Sequence, residues 1–314
     1  MKKIRTVCGD IDANQLGHVQ CHEHLFIEKG IPASIVPSLV IDDYQKTKNE
    51  VLRFKGAGGK TIVDAQPAFA GRMADRLQQL AKETNLNILA TTGFYKHIFY
   101  AKDSYIFNHE EAEITKFYVS EFLDGMISEN GNRINAKAGI LKGAITEEGL
   151  SDPIYKKLFN SLAKAACEVS APIMIHTDPS ADVMNLIQFF KSFGISTNRL
   201  LICHLDRTNY NIEYHLQILK TGVYLCYDSV NRLKYVSEEE ELSLIKEIIA
   251  EGYEDQIVLS LDTTNERLLE YGGYMGLDYI LTDFLNIMRH NGISDVAIQK
   301  MTTSNATKIL SFSE

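Results

Sequence analysis

Short apolar runs rich in β-branched residues recur along the chain with amphipathic stretches between them, the pattern of parallel strands covered by helices. Eight such runs stand out, at 18–25, 59–66, 86–93, 136–144, 172–177, 200–206, 222–228 and 256–262. The intervening stretches 42–55, 72–84, 109–128, 153–169, 180–193, 209–220 and 238–251 carry apolar residues at helical spacing, and two more helices are predicted near 276–290 and 294–310. At 153–169 the period is plain, with Ile154, Leu158, Leu162, Ala165, Ala166 and Val169 on one stripe. Eight strand–helix units in 314 residues, undivided by any Pro/Gly/Ser linker, predict a single-domain (β/α)8 TIM barrel spanning residues 1–314.

Composition narrows the function classes. The formal net charge is −9 and no dense run of Lys or Arg occurs, which argues against nucleic acid and for a small-molecule partner. No run of 18 apolar residues and no signal-peptide core appear, so the chain reads as cytoplasmic with no membrane partner. The five cysteines, Cys8, Cys21, Cys167, Cys203 and Cys226, form no C-x-x-C pair and read as buried free thiols.

Chemistry enters at the C-terminal ends of the predicted strands, where barrel enzymes build their sites. In the first run, His22 and His24 alternate with Cys21 and Glu23, so an extended strand would aim both imidazoles to one side. The fourth run ends with Lys142, the fifth with His176, the sixth with His204 and the eighth with Asp262, each preceded by apolar residues. So many ionisable groups buried without mutual satisfaction would each cost several kcal/mol, and convergence on metal offsets that cost. Four histidines, one aspartate and one lysine suit two divalent ions, zinc first among them, although these donors also suit manganese, cobalt and iron. An ammonium cannot ligate a cation, so Lys142 must be neutralised or carboxylated to a bridging carbamate. The loops 25–41 and 94–108 leave strand C-terminal ends and are candidates for the rim of the site.

This constellation resembles the phosphotriesterase-like branch of the amidohydrolase superfamily over nearly the whole chain. The resemblance implies that His22, His24 and Asp262 hold one metal and His176 and His204 the other, with carboxylated Lys142 and a hydroxide bridging them. It also implies a homodimer. The segments Cys203-His204-Leu205-Asp206-Arg207-Thr208, Thr221-Gly222-Val223-Tyr224, Tyr227-Asp228, Arg232-Leu233-Lys234-Tyr235 and Tyr271-Gly272-Gly273 further resemble the phosphorylated-furanose lactonases. That likeness matches Lys234 to a phosphate-binding lysine and Tyr95 to a tyrosine facing the metals. Arg267 stands later after Asp262 than the pattern places its arginine, and no tyrosine precedes Tyr271.

The expected activity is therefore the opening of a phosphorylated sugar 1,4-lactone by a metal-bridging hydroxide, with Asp262 and Tyr95 catalytic. Lys234, Arg232, Arg267, Tyr235 and Asp228 are the expected substrate contacts. The alternatives are a phosphotriesterase or carboxylesterase on the same scaffold, a non-catalytic ligand-binding barrel, and an aldolase-like barrel with Lys142 as Schiff base.

Overall fold

In the computed structural model, which describes residues 2–312, all eight runs form strands and all eight join one sheet. They are β3 (His18–Glu23), β4 (Gly59–Asp64), β5 (Asn87–Gly93), β6 (Ile140–Ile145), β7 (Ile173–Thr177), β8 (Leu200–Cys203), β9 (Tyr224–Tyr227) and β10 (Ile257–Leu259). Each strand pairs in parallel with the next in sequence order, as consecutive βα units require.

The remaining gap, between β10 and β3, is closed largely by side chains. Ser260 Oγ accepts from the His22 amide at 2.8 Å, and the Asp262 amide donates to the His22 carbonyl at 3.1 Å. Glu23, fully buried, accepts from Ser260 Oγ at 2.7 Å, Leu261 N at 2.7 Å, Thr263 N at 3.2 Å and Thr263 Oγ1 at 2.9 Å. A buried carboxylate is tolerable when its lone pairs are filled in this way. The barrel seam is thus a carboxylate clamp.

Two strands escape the hydrophobic pattern. β1 (Lys3–Thr6) and β2 (Gly9–Asp12) form an antiparallel hairpin. Val7 N donates to Ile88 O at 2.9 Å, and Ile4 and Leu16 pack into the inner core, so the segment closes the N-terminal end of the barrel.

The predicted helices appear with trimmed ends. The one spanning Pro153–Val169 starts where Asp152 Oδ1 accepts from Ile154 N and Tyr155 N, with proline in the first turn. The last two predicted helices are each interrupted by a π-helical turn, at Ile280–Phe284 and Lys300–Ser304. Among the described residues no helix is long and apolar enough to cross a membrane.

The apolar residues divide between an outer layer under the helices and an inner layer within the strands. Cys21, Cys203 and Cys226 lie in that inner layer, whereas Cys8 and Cys167 are exposed, contrary to the expectation of uniformly buried thiols.

Candidate metal centre

His22 and His24 turn to one side as expected, but the strict alternation with Cys21 does not hold. Gln20 pairs with Ile62 and Glu23 with Asp64, so β3 carries one extra residue across this step. Such a bulge breaks the two-residue period. Cys21 consequently packs in the inner core while His22 still turns to the C-terminal mouth. The expected strand ends at His204 and Asp262 also bend. Both residues adopt left-handed backbone conformations, φ +72° and +49°, His204 immediately beyond β8 and Asp262 three residues beyond β10. Backbone of this kind is costly for residues other than glycine and is held by its surroundings. It turns both side chains inward.

The six expected ligands converge. Asp262 Oδ1 lies 3.3 Å from His24 Nε2 and 3.6 Å from His22 Nε2. His22, His24 and Asp262 present donor atoms all within 4.8 Å of one another. On the other side, His204 Nε2 and His176 Nδ1 face each other at 2.7 Å. Lys142 Nζ lies 3.2 Å from His22 Nε2. Gly93 makes room for this lysine's strand: its φ is +124°, and a Cβ there would stand 2.0 Å from the Lys142 carbonyl oxygen. His24 Nδ1 is buried without a hydrogen-bond partner. Imidazole and carboxylate donors in this grouping fit divalent transition metals.

Electrostatics favour the same use at His24, His176 and Asp262, whereas His22 is pushed up to about 9. Burial, outweighing the pull of Asp178 and Asp262, brings His176 and His24 each down to about 4, so both rings are neutral donors near neutral pH. Burial lowers Lys142, against the attraction of Cys203, Asp262, Asp228 and Asp64. Burial alone would raise Asp262, but Arg207 and Arg232 hold its carboxyl well below the usual carboxylate range. It is a firm anion.

Above the cage lies a cavity of about 280 Å³ whose walls include Tyr95, Arg207, Arg232, Lys234 and Tyr235. The Tyr95 ring meets the His176 edge at 5.0 Å and the Lys142 ammonium at 5.6 Å, and burial pushes its hydroxyl well above the ordinary phenol value. Arg232 and Arg207 bond to Asp262 Oδ2 at 2.5 and 2.7 Å. Tyr235 gathers three cations: Arg207 at 5.1 Å, Arg232 at 5.4 Å and Lys234 at 4.9 Å from its ring centre. Val36, Ser38 and Leu39 of the first long loop and Phe99 of the second complete the rim, as their position after strand ends led one to expect.

Two residues expected at the substrate lie elsewhere. Asp228 is fully buried beneath the cage, where Oδ1 takes a 2.6 Å hydrogen bond from His204 Nδ1 and Oδ2 lies 3.1 Å from His22 Nδ1. It orients ligand rings. Arg267 is 1% exposed and its guanidinium donates to the carbonyls of Leu261 and Val230, tying together the loops after β9 and β10. Neither residue lines the main cavity.

Sequence reasoning passed over three cavity residues. Lys96 lies in the loop 94–108 and pairs with both oxygens of Asp178 at 3.1 Å, and Asp178 Oδ1 in turn meets His176 Nε2 at 2.9 Å. Arg207 stands three residues after His204, on the same strand-end turn. Position beside a ligand was the available signal for Asp178 and Arg207.

Known proteins resemble the chain in sequence and fold. Residues 2–310 match the Phosphotriesterase family. The chain is 31% identical to a phospho-furanose lactonase of Mycoplasmopsis agalactiae, covering 100% of this chain and 92% of the relative. It is 29% identical to an N-acetyltaurine hydrolase of Xenopus tropicalis, over 99% of this chain and 98% of that one. A crystal structure of a lactonase from Listeria monocytogenes superposes with a TM-score of 0.91 at 29% identity, covering 99% of this chain and 100% of the other.

Proposed function

The chain belongs to the phosphotriesterase family and is a hydrolase of ester bonds, and from that premise we propose that it opens a lactone bearing a phosphate group at a binuclear metal centre. What carries this reading is the grouping of Arg207, Arg232 and Lys234 around Tyr235 directly over the ligand cage. Guanidinium and ammonium donors of this density suit a phosphate better than a neutral triester or a simple carboxylic ester. The similarity to a relative named as a phospho-furanose lactonase supports it.

In this proposal His22, His24 and Asp262 hold one divalent ion, zinc in the first instance, and His176 and His204 hold a second. Lys142, once carboxylated on Nζ, would supply oxygens to hold the ions. Ions in such a cage supply a nucleophile from water near neutral pH and polarise the scissile carbonyl. The remaining work belongs to the chain. Asp262 takes a proton at Oδ1, the oxygen turned to the histidines, and delivers it to the leaving oxygen, while Oδ2 stays engaged by the two arginines. Asp228 fixes the ring of His204. Tyr95, its hydroxyl kept neutral by burial, donates to the substrate and covers the His176 side of the cage. Lys234, the most exposed cation of the group, meets the phosphate first.

A hydrolysis screen tests the reading. Sugar 1,4-lactones are offered with and without a phosphate, beside a phosphotriester, a plain carboxylic ester and an N-acylated aminosulfonate. The expected result is the highest kcat/KM on a phosphorylated lactone. Equal rates on paired lactones would remove the phosphate assignment, and a preference for the triester, ester or amide would replace the lactone assignment.

A further inference from the structure

Behind His22 the interior of the barrel holds sulfur. Cys21, Cys203 and Cys226 reach it from three different strands, and all three are fully buried. Cys203 and Cys226 are direct register partners on β8 and β9. The donor atoms of Cys203, Cys226 and Asp228 lie within 4.8 Å of one another. That span suits a single cation, since metal–thiolate bonds of about 2.3 Å place two sulfurs of a tetrahedral site about 3.8 Å apart.

Two more atoms of this pocket have only each other. His22 Nδ1 and Asp228 Oδ2 are buried, stand 3.1 Å apart and lack hydrogen-bond geometry to any partner. Unpaired buried polar atoms of this kind call for an explanation, an ion among the possible ones. The catalytic cage does not use them, because His22 faces Asp262 and Lys142 with the opposite nitrogen, Nε2.

We infer that Cys203, Cys226, Asp228 and the Nδ1 edge of His22 form a binding site for one soft, thiophilic divalent cation, beneath the catalytic cage and distinct from it. Two sulfurs select against magnesium and calcium, which prefer oxygen. Apolar neighbours of the inner core, Leu201 and Val258 among them, add no oxygen donors. Binding exchanges protons for metal: two S–H bonds and, because His22 Nε2 belongs to the catalytic cage, the His22 Nδ1–H bond break, two metal–sulfur bonds and one metal–nitrogen bond form with His22 as a bridging imidazolate, and the three protons leave for solvent. Since the hairpin closes the other end, the ion enters by the mouth. Asp228 Oδ1 also holds His204 at 2.6 Å, so a cation on Oδ2 shares the carboxylate that positions this ring of the cage.

The test uses the zinc-loaded protein with its exposed thiols removed by Cys8→Ser and Cys167→Ser, titrated with Cd2+. The expected result is an ultraviolet thiolate-to-cadmium absorption that saturates at one equivalent, with a cadmium NMR resonance in the sulfur-ligated range. Adding Cys226→Ala abolishes both signals, and adding Cys21→Ala instead leaves them. Circular dichroism verifies folding, and Cys226→Ser, nearly equal in volume, replaces the alanine variant if that one fails. A resonance confined to the nitrogen and oxygen range places cadmium in the catalytic cage and overturns the proposal. So does a sulfur signal that survives loss of Cys226, or one absent once the surface thiols are gone. If neither Cys226 variant folds, the NMR range of the surface-thiol-free protein decides by itself. None of these readouts depends on which substrate the enzyme hydrolyses.

Discussion

Arg232 uses one nitrogen to hold two oxygens of Asp262: Nη1 donates to the carboxylate Oδ2 at 2.5 Å and to the main-chain carbonyl at 2.9 Å. The backbone of Asp262 is left-handed at φ +49°, and the second of these bonds helps keep it there. Arg207 shares Oδ2 at 2.7 Å. The metal-facing oxygen and the arginine-facing oxygen therefore divide the carboxylate between chemistry and support, and a cation that serves the substrate also positions the proposed proton carrier.

Arg232→Met should accordingly lower kcat/KM for phosphorylated lactones by about 10- to 150-fold, the equivalent of one charge-assisted contact of about 1.5–3 kcal/mol. Because the bond to the Asp262 carbonyl goes with it, kcat should fall as well as KM rise. Steady-state kinetics on a phosphorylated and an unphosphorylated lactone separate the two. A change in KM alone would show that Arg232 does not position Asp262.

Lys234→Ala is expected to behave differently. Its side chain is 55% exposed and its nearest acid, Glu266, lies 3.8 Å away, so its contact is screened by solvent and salt. The loss should be within about tenfold, confined to phosphorylated substrates, and should shrink at high ionic strength. Equal losses on both members of a lactone pair would take Lys234 out of the phosphate clamp.

Asp262→Asn keeps the shape of the side chain and removes its charge and its proton-accepting oxygen. Hydrolysis should fall by about 100-fold or more, the usual scale for loss of a general acid–base group, while circular dichroism stays that of the parent. Retained turnover would refute the proton-transfer role.

Lys142→Met tests whether the buried lysine exists for the metals. In metal-free protein its ammonium sits 1% exposed and destabilised by burial, so an apolar residue of similar length should leave stability unchanged or higher. Added zinc should then raise the melting temperature of the parent, by binding the folded state alone, and do so far less in the variant. An equal rise in both proteins would separate Lys142 from the metal centre.

The barrel and the convergence of its polar strand ends were legible because parallel strands are buried on both faces. Against such apolar runs, His176, His204, Lys142 and Asp262 had no structural reason to be polar. What the pattern could not carry depends on distant partners. The extra residue in β3 is a matter of how Glu23 and Ser260 close the seam, some 237 positions apart, and the period-two reading of Cys21 and His22 failed there. Asp228 and Arg267 were misplaced for a related reason: a charged loop residue reads the same whether it meets a substrate, a ligand histidine or two carbonyls. The hairpin of β1 and β2 was missed because its sequences, KIRT and GDID, are mostly charged or polar and show no apolar run.

Glu23 supplies the last prediction, since it joins seam and site. Its two oxygens take four bonds, two from main-chain amides and two from hydroxyls, and the residue lies between His22 and His24. Glu23→Gln preserves volume but turns one acceptor into a donor that faces other donors. Each main-chain amide left unpaired costs about 1–3 kcal/mol, so urea unfolding should show a loss of about 2–4 kcal/mol, large on the scale of single substitutions. Opening the seam also loosens the backbone that aims both histidines and Asp262, so bound zinc should dissociate at lower chelator concentration than from the parent. A variant with parental stability and parental zinc retention would mean that the β10–β3 closure does not depend on this carboxylate.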